Sequence, residues 1–192
     1  MLPSLILNAL NIVFVAGCLV RGLIISSPKR VLFRYFTTLS NVLCAIASLI
    51  VVIMQLCGGL PFWALLIKYV GTAAVTVTMF TVLLLLGPVS HEWKLLLTRG
   101  ELFLHLICPL LAIVSFLAFE KTGMPAWVIP IGVLPVLLYG MLYLNRVILA
   151  PEKDRWDDFY GFNKKGKWPR SFVMMVLGTA LIAFLLWIIN NG

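Results

Sequence analysis

Charge is scarce in this chain. Only 11% of its 192 residues are Asp, Glu, Lys or Arg, against roughly 25% in a soluble domain. With 62% hydrophobic residues and a mean hydropathy of +1.07, that shortage excludes a soluble globular protein and points to an integral membrane protein. Cysteine is sparse as well. Cys18, Cys44 and Cys108 fall inside apolar stretches and Cys57 lies beside a connection, so neither a disulfide framework nor a Cys/His metal spacing follows. Two histidines, His91 and His105, cannot build a metal cluster, and no cofactor is expected. Alternating apolar and polar strands are missing, which argues against a barrel, and so are internal repeats and low-complexity tracts. A basic segment ahead of the first apolar stretch is also lacking, and that stretch outruns the about 7–15 residues of a signal-peptide core. It is expected to be a retained helix.

What is present is a series of long apolar runs. About 20 such residues cross a bilayer as a helix, and lipid tolerates only helices or closed barrels because backbone amides find no partners in it. The runs predict an all-α polytopic membrane protein: one transmembrane domain over 1–192, a bundle of six helices at about 4–26, 34–56, 64–87, 102–119, 125–147 and 171–190. Pro109, Pro130 and Pro135 fall within spans and are expected to bend them, freeing carbonyls that need interior partners.

The basic residues orient the bundle. Arg21, Lys29, Arg30, Arg34, Lys94, Arg99, Arg146, Lys153, Arg155, Lys164, Lys165, Lys167 and Arg170 lie in or beside connections 1–2, 3–4 and 5–6, while Lys68 and Lys121 lie towards the other side. The positive-inside rule then puts those three loops in the cytoplasm and both termini outside. The net charge of +8 reports this topology and an attraction to anionic lipid heads; nucleic-acid binding explains it poorly. The long 148–170 connection carries Trp156, Phe159, Tyr160, Phe162 and Trp168. It reads as an interfacial anchor of aromatic belt and positive charge, or as a lid over a lateral opening.

Polar side chains inside spans face the bundle interior, and ionisable ones are functional candidates. Helical spacing sorts them. Arg34, Thr37, Thr38, Asn41, Ser48 and Gln55 form one stripe; Asn8, Asn11, Cys18 and Arg21 form a second. Glu101, His105 and Cys108 follow i, i+4, i+7. Tyr139, Tyr143 and Arg146 climb helix five towards the basic end. At 1.5 Å per residue, Thr37, Thr38 and His105 all lie about 6 Å inside the same boundary. A hydroxyl and an imidazole at one depth suggest a nucleophile and its base. Glu101 could orient the ring or favour the helix N-terminus. Ser40 and Asn41 could donate to an oxyanion, and Arg34 could hold a carboxylate. Each also has a plainer role: Ser, Thr and Asn in membrane helices commonly bond backbone carbonyls or join neighbouring helices.

Six spans, "YFTTLSN" opening helix two and "HLICP" in helix four resemble a group of small bacterial membrane proteins carrying Y-F-T-x-x-S-N and a later H-x-x-x-P. That group is distantly similar to the animal androgen-induced and androgen-dependent TFPI-regulating membrane proteins, hydrolases of fatty acid esters of hydroxy fatty acids that use a threonine and a histidine. The resemblance implies Thr37 as nucleophile and His105 as base, in a bacterial cytoplasmic membrane. Thr38 doubles the hydroxyl and is a rival nucleophile. The animal proteins are expected to have cytosolic termini, opposite to the topology read here.

The sequence therefore suggests an intramembrane lipid ester hydrolase, with Thr37 or Thr38 and His105 catalytic and Ser40, Asn41, Arg34, Glu101, Asn11 and Tyr139 supporting. Its partners would be a lipid substrate and the surrounding membrane lipids. A small-molecule transporter or channel, and a non-catalytic lipid-binding or scaffold protein, are the alternatives.

Overall fold

The computed structural model describes residues 1–25, 29–91, 93–98, 100–121 and 123–192. The described residues are mostly helical, without strands, and include six helices long and apolar enough to cross a membrane. These are α1 (Leu2–Ile25), α2 (Phe36–Leu56), α3 (Phe62–Leu86), α4 (Gly100–Phe119), α5 (Val128–Leu149) and α6 (Trp168–Asn191). Their limits fall within a few residues of those read from hydropathy. Residue 26, assigned to helix one from the sequence, lies outside the described residues.

α3 is the central helix. It packs against α2, α4, α5 and α6, while α1 closes the bundle against α2 and α4. Small side chains let it sit there, because association within lipid depends on close packing. A Cβ at Gly71 would lie 3.1 Å from the Cys44 Cα and 3.2 Å from the Ala47 Cβ, so α2 and α3 touch nearly backbone to backbone. Towards the end that holds both termini, Leu65, Tyr69, Phe116, Val128 and Leu186 form the main apolar core, and the Tyr69 hydroxyl donates to the Ala183 carbonyl at 2.9 Å.

Three spans widen into a π-helical turn at the opposite, basic end: Val82–Leu86 in α3, Phe103–Ile107 in α4 and Asn145–Leu149 in α5. Each turn stops two residues before a proline, Pro88, Pro109 or Pro151. A proline lacks an N–H and its ring clashes with the carbonyl four residues back. Widening the preceding turn is a common resolution of such local misfits. In α4 this has a definite consequence. Cys108 N–H reaches back five residues to the Phe103 carbonyl, and Pro109 offers nothing to the Leu104 carbonyl. That carbonyl is left for another helix.

The connection between α5 and α6 folds onto the same end. Trp156, Phe159, Tyr160 and Phe162 pack on Phe36 and Leu39 of α2 and on Tyr139, Tyr143 and Val147 of α5. Asp158 holds the segment: its carboxylate accepts from the Tyr143 hydroxyl at 2.9 Å and from the amides of Phe162 and Asn163, each at 2.9 Å. The segment thus covers one end of α2 and α5.

Candidate functional site

Two polar clusters occupy the bundle. The first lies at the basic end, where α2 and α4 begin. Thr37 is the second residue of α2, and His105 stands at the centre of the π turn of α4. The Thr37 Oγ1 and His105 Nε2 lie 3.5 Å apart, the loose end of the hydrogen-bond range. The structure thus brings Thr37 to the imidazole. Thr38, about 100° further round the helix, is buried at 3% exposure.

Glu101 approaches the same nitrogen, with its Oε2 3.5 Å from His105 Nε2, while its own side chain is 51% exposed. One nitrogen therefore faces both the hydroxyl and the carboxylate. Glu101 cannot serve as the orienter of a triad, which must bind the other ring nitrogen. It can instead stabilise the charge that appears when Nε2 takes a proton.

The proposed oxyanion supports are otherwise engaged. Asn41 Nδ2 donates to the Thr37 carbonyl at 2.8 Å and to the Leu104 carbonyl at 3.0 Å. It therefore fills the vacancy created by Pro109 and fixes the π turn against α2. Ser40 Oγ bonds the Thr37 carbonyl at 3.1 Å and Thr78 Oγ1 at 2.9 Å, joining α2 to α3. Asn11 performs a similar task on α1, donating to the Cys108 carbonyl at 2.9 Å. Asn41 and Asn11 thus position the histidine-bearing helix, while Ser40 ties α2 to α3. The Arg34 guanidinium stacks over Trp156 at 5.5 Å, and the Arg34 carbonyl accepts from the Tyr139 hydroxyl at 2.7 Å.

Sequence reasoning missed Tyr160 in this setting. Its phenolic oxygen accepts the Phe36 backbone N–H at 3.0 Å, capping α2 one residue before Thr37. Burial pushes the Tyr160 phenol up, opposed chiefly by the Phe36 backbone N–H that its oxygen accepts. A tyrosine 124 residues from Phe36 carried no local signal of this contact.

The second cluster lies towards the terminal end. Lys68 is fully buried, at 0% exposure, and donates to Asn8 Oδ1 at 2.6 Å and Ser48 Oγ at 3.1 Å. Asn8 Nδ2 passes the interaction on to Glu120 Oε1 at 2.7 Å. The same carboxylate oxygen accepts from Ser4 Oγ at 2.8 Å and from Ser115 Oγ, and Gln55 Nε2 donates to Ser4 Oγ at 3.0 Å. Four helices are joined around one amide. Lys68 is therefore a buried interior residue near the start of α3. Its place seven residues into an apolar span was the available signal; Glu120, directly after α4, gave none that separated it from a solvated helix end.

Among the described residues no group of His, Cys, Asp and Glu is arranged to hold a metal ion. No protein family, curated protein or solved structure matches the chain.

Proposed function

We propose that this chain is an intramembrane hydrolase of lipid carboxylic esters, with Thr37 as nucleophile and His105 as base. The supporting observation is the Thr37 Oγ1 to His105 Nε2 approach of 3.5 Å, at the end of the bundle where a lipid's ester linkages meet the helices. The hydroxyl proton passes to Nε2 as Oγ1 bonds the ester carbonyl carbon. Collapse expels the alcohol, which takes its proton from the imidazolium, and water then releases the fatty acid from the acyl-threonine. A π turn suits the base, since such turns recur at functional sites. Fatty acid esters of hydroxy fatty acids are the substrate class suggested by the motif resemblance.

By the positive-inside rule the basic loops favour the cytoplasmic face for this end and the outside for both termini; of the basic residues behind that reading, Arg99 lies outside the described residues. The test is hydrolysis of p-nitrophenyl octanoate in detergent micelles together with fluorophosphonate labelling. Wild type should turn over and label, Thr37→Ala and His105→Ala should do neither, and Thr38→Ala should behave as wild type. Equal labelling by all four proteins sinks the reading. A transport role draws its support from the Lys68–Asn8–Glu120 bridge, in which an amide links two ionisable side chains inside the bundle. Substrate-dependent flux in liposomes that survives His105→Ala would favour it.

A further inference from the structure

Thr37 and His105 supply a nucleophile and a base, yet an ester carbonyl attacked by Thr37 also needs a donor for the oxygen that becomes negative. Preorganised donors of this kind are commonly the largest contribution to acyl-transfer catalysis. The candidates on Thr37's own helix are spent: Ser40 is bonded to Thr78 and to the Thr37 carbonyl, and the Asn41 amide spans two backbone carbonyls.

We infer that Tyr160 of the α5–α6 connection is a third catalytic residue, donating its phenolic proton in a hydrogen bond to the oxyanion formed when Thr37 attacks. The inference rests on the hydrolase reading. Its geometry is independent of the Thr37–His105 contact. The phenolic oxygen accepts the Phe36 N–H at 3.0 Å, one residue from the nucleophile, so its single proton is left to donate. The ring is braced on both sides, by Tyr139 with centroids 6.4 Å apart and by Tyr143 at 5.4 Å. The Tyr160 amide is tied to the Tyr143 hydroxyl at 3.1 Å, and that hydroxyl is tied to Asp158. A phenol held this way meets the requirement that the donor be fixed before charge develops.

The bond changes balance without a further reactant. As the Thr37 Oγ1–carbon bond forms, the carbonyl π pair moves to oxygen and the Oγ1 proton moves to His105. Tyr160 keeps its covalent O–H throughout and only redirects that hydrogen bond. When the alkoxide collapses, the pair returns, the C–O bond to the alcohol breaks, and the phenol is released to its resting partners.

The test compares wild type with Tyr160→Phe, Tyr143→Phe and Thr37→Ala on p-nitrophenyl octanoate in micelles, with melting followed in the same detergent. Tyr160→Phe should lower kcat by about 100-fold with KM changed less than about twofold and the melting temperature retained. Tyr143→Phe keeps the phenol but loosens its loop, and should lower the melting temperature while lowering kcat far less. Turnover by Tyr160→Phe equal to wild type overturns the role of Tyr160 and leaves the Thr37–His105 reading standing. Matching losses in both Tyr variants, in step with melting, also overturn it, because the loop is then only structural. Wild type no faster than Thr37→Ala overturns the hydrolase reading itself, and this inference with it.

Discussion

The two polar clusters occupy opposite ends of one bundle and are built to different tolerances. Around Lys68 the contacts are short, 2.6 to 3.1 Å, and both charged side chains are sealed, Lys68 at 0% and Glu120 at 1% exposure. Around His105 the two contacts that matter measure 3.5 Å each, and one partner, Glu101, is half exposed. The ten residues between Lys68 and Thr78, the neighbour of Ser40, put about 15 Å of helix between the two levels. Packed side chains of Cys44, Val75 and Ala112 fill that interval. A charge inside a bilayer is costly unless its partners are in place, so the sealed cluster can be satisfied only by holding four helices in register. The loose one leaves room for a substrate to complete it. On this contrast the Lys68 cluster is a clasp, and the His105 cluster is the one to which the proposed hydrolysis is assigned.

Breaking the clasp should give the largest effect. Lys68→Met leaves the Glu120 carboxylate buried beside an amide that has lost its other partner. Removing one member of a buried charge pair typically costs about 3–5 kcal/mol, a large share of the stability of a small domain. The variant should unfold at much lower temperature in detergent, and Lys68→Met combined with Glu120→Gln should recover part of the loss. A Lys68→Met protein that melts like wild type would show that the cluster serves something other than packing.

His105→Ala should do the reverse. A positioned general base contributes about 10²–10⁴-fold to rate, whereas a 3.5 Å contact contributes little to folding. Ester turnover should fall within that range while the melting temperature moves little. Loss of stability without loss of turnover would turn the His105 end into a second clasp and erase the comparison.

An intermediate case lies on the boundary between the two behaviours. Asn41 is a structural bond that positions a chemical group, through the Leu104 carbonyl in the turn that carries His105. Asn41→Ala leaves that buried carbonyl unpaired, at about 1–3 kcal/mol. It should lower stability measurably and also slow turnover by about tenfold, because small displacements of a catalytic group are expensive. Asn41→Asp, which keeps the size but offers no N–H when ionised, should show the same pairing of effects.

Legibility in the sequence followed the same division. Spans were readable because hydropathy over 20 residues is a summed signal, insensitive to any one side chain. The depth match of Thr37 and His105 was readable because both lie near a helix start and rise per residue is fixed. Which threonine faces the imidazole depended on rotation of α2 about its axis, set by Gly71 against Cys44 and Ala47, and no stripe encodes that. The role of Asn41 turned on the Leu104 carbonyl freed by Pro109. The proline was visible, but the recipient of the freed carbonyl was not. Tyr160 reached the site through a connection whose path depends on Asp158 gathering three donors, a long-range arrangement without local periodicity. The burial of Lys68 among Asn8 and Ser48 was not legible, because depth along a span did not separate burial from exposure.

Glu101 gives the smallest and most selective test of the contrast. Its carboxylate is half exposed, so water and salt screen it, and pairs of this kind contribute little to stability. Its effect should appear only when Nε2 carries a proton, since the carboxylate and the Thr37 hydroxyl face the same nitrogen. In the resting enzyme it competes with Thr37, and after proton transfer it steadies the imidazolium. Glu101→Gln should therefore leave melting unchanged and lower kcat by only about threefold to tenfold, a loss on the order of 1 kcal/mol in the barrier. Wild-type kcat should fall towards the variant's as salt is raised, because screening weakens an exposed carboxylate while the amide of Gln has no charge to screen. A drop as large as that of His105→Ala, insensitive to salt, would mean that Glu101 is sealed from water during turnover, and that the loose cluster closes when substrate binds.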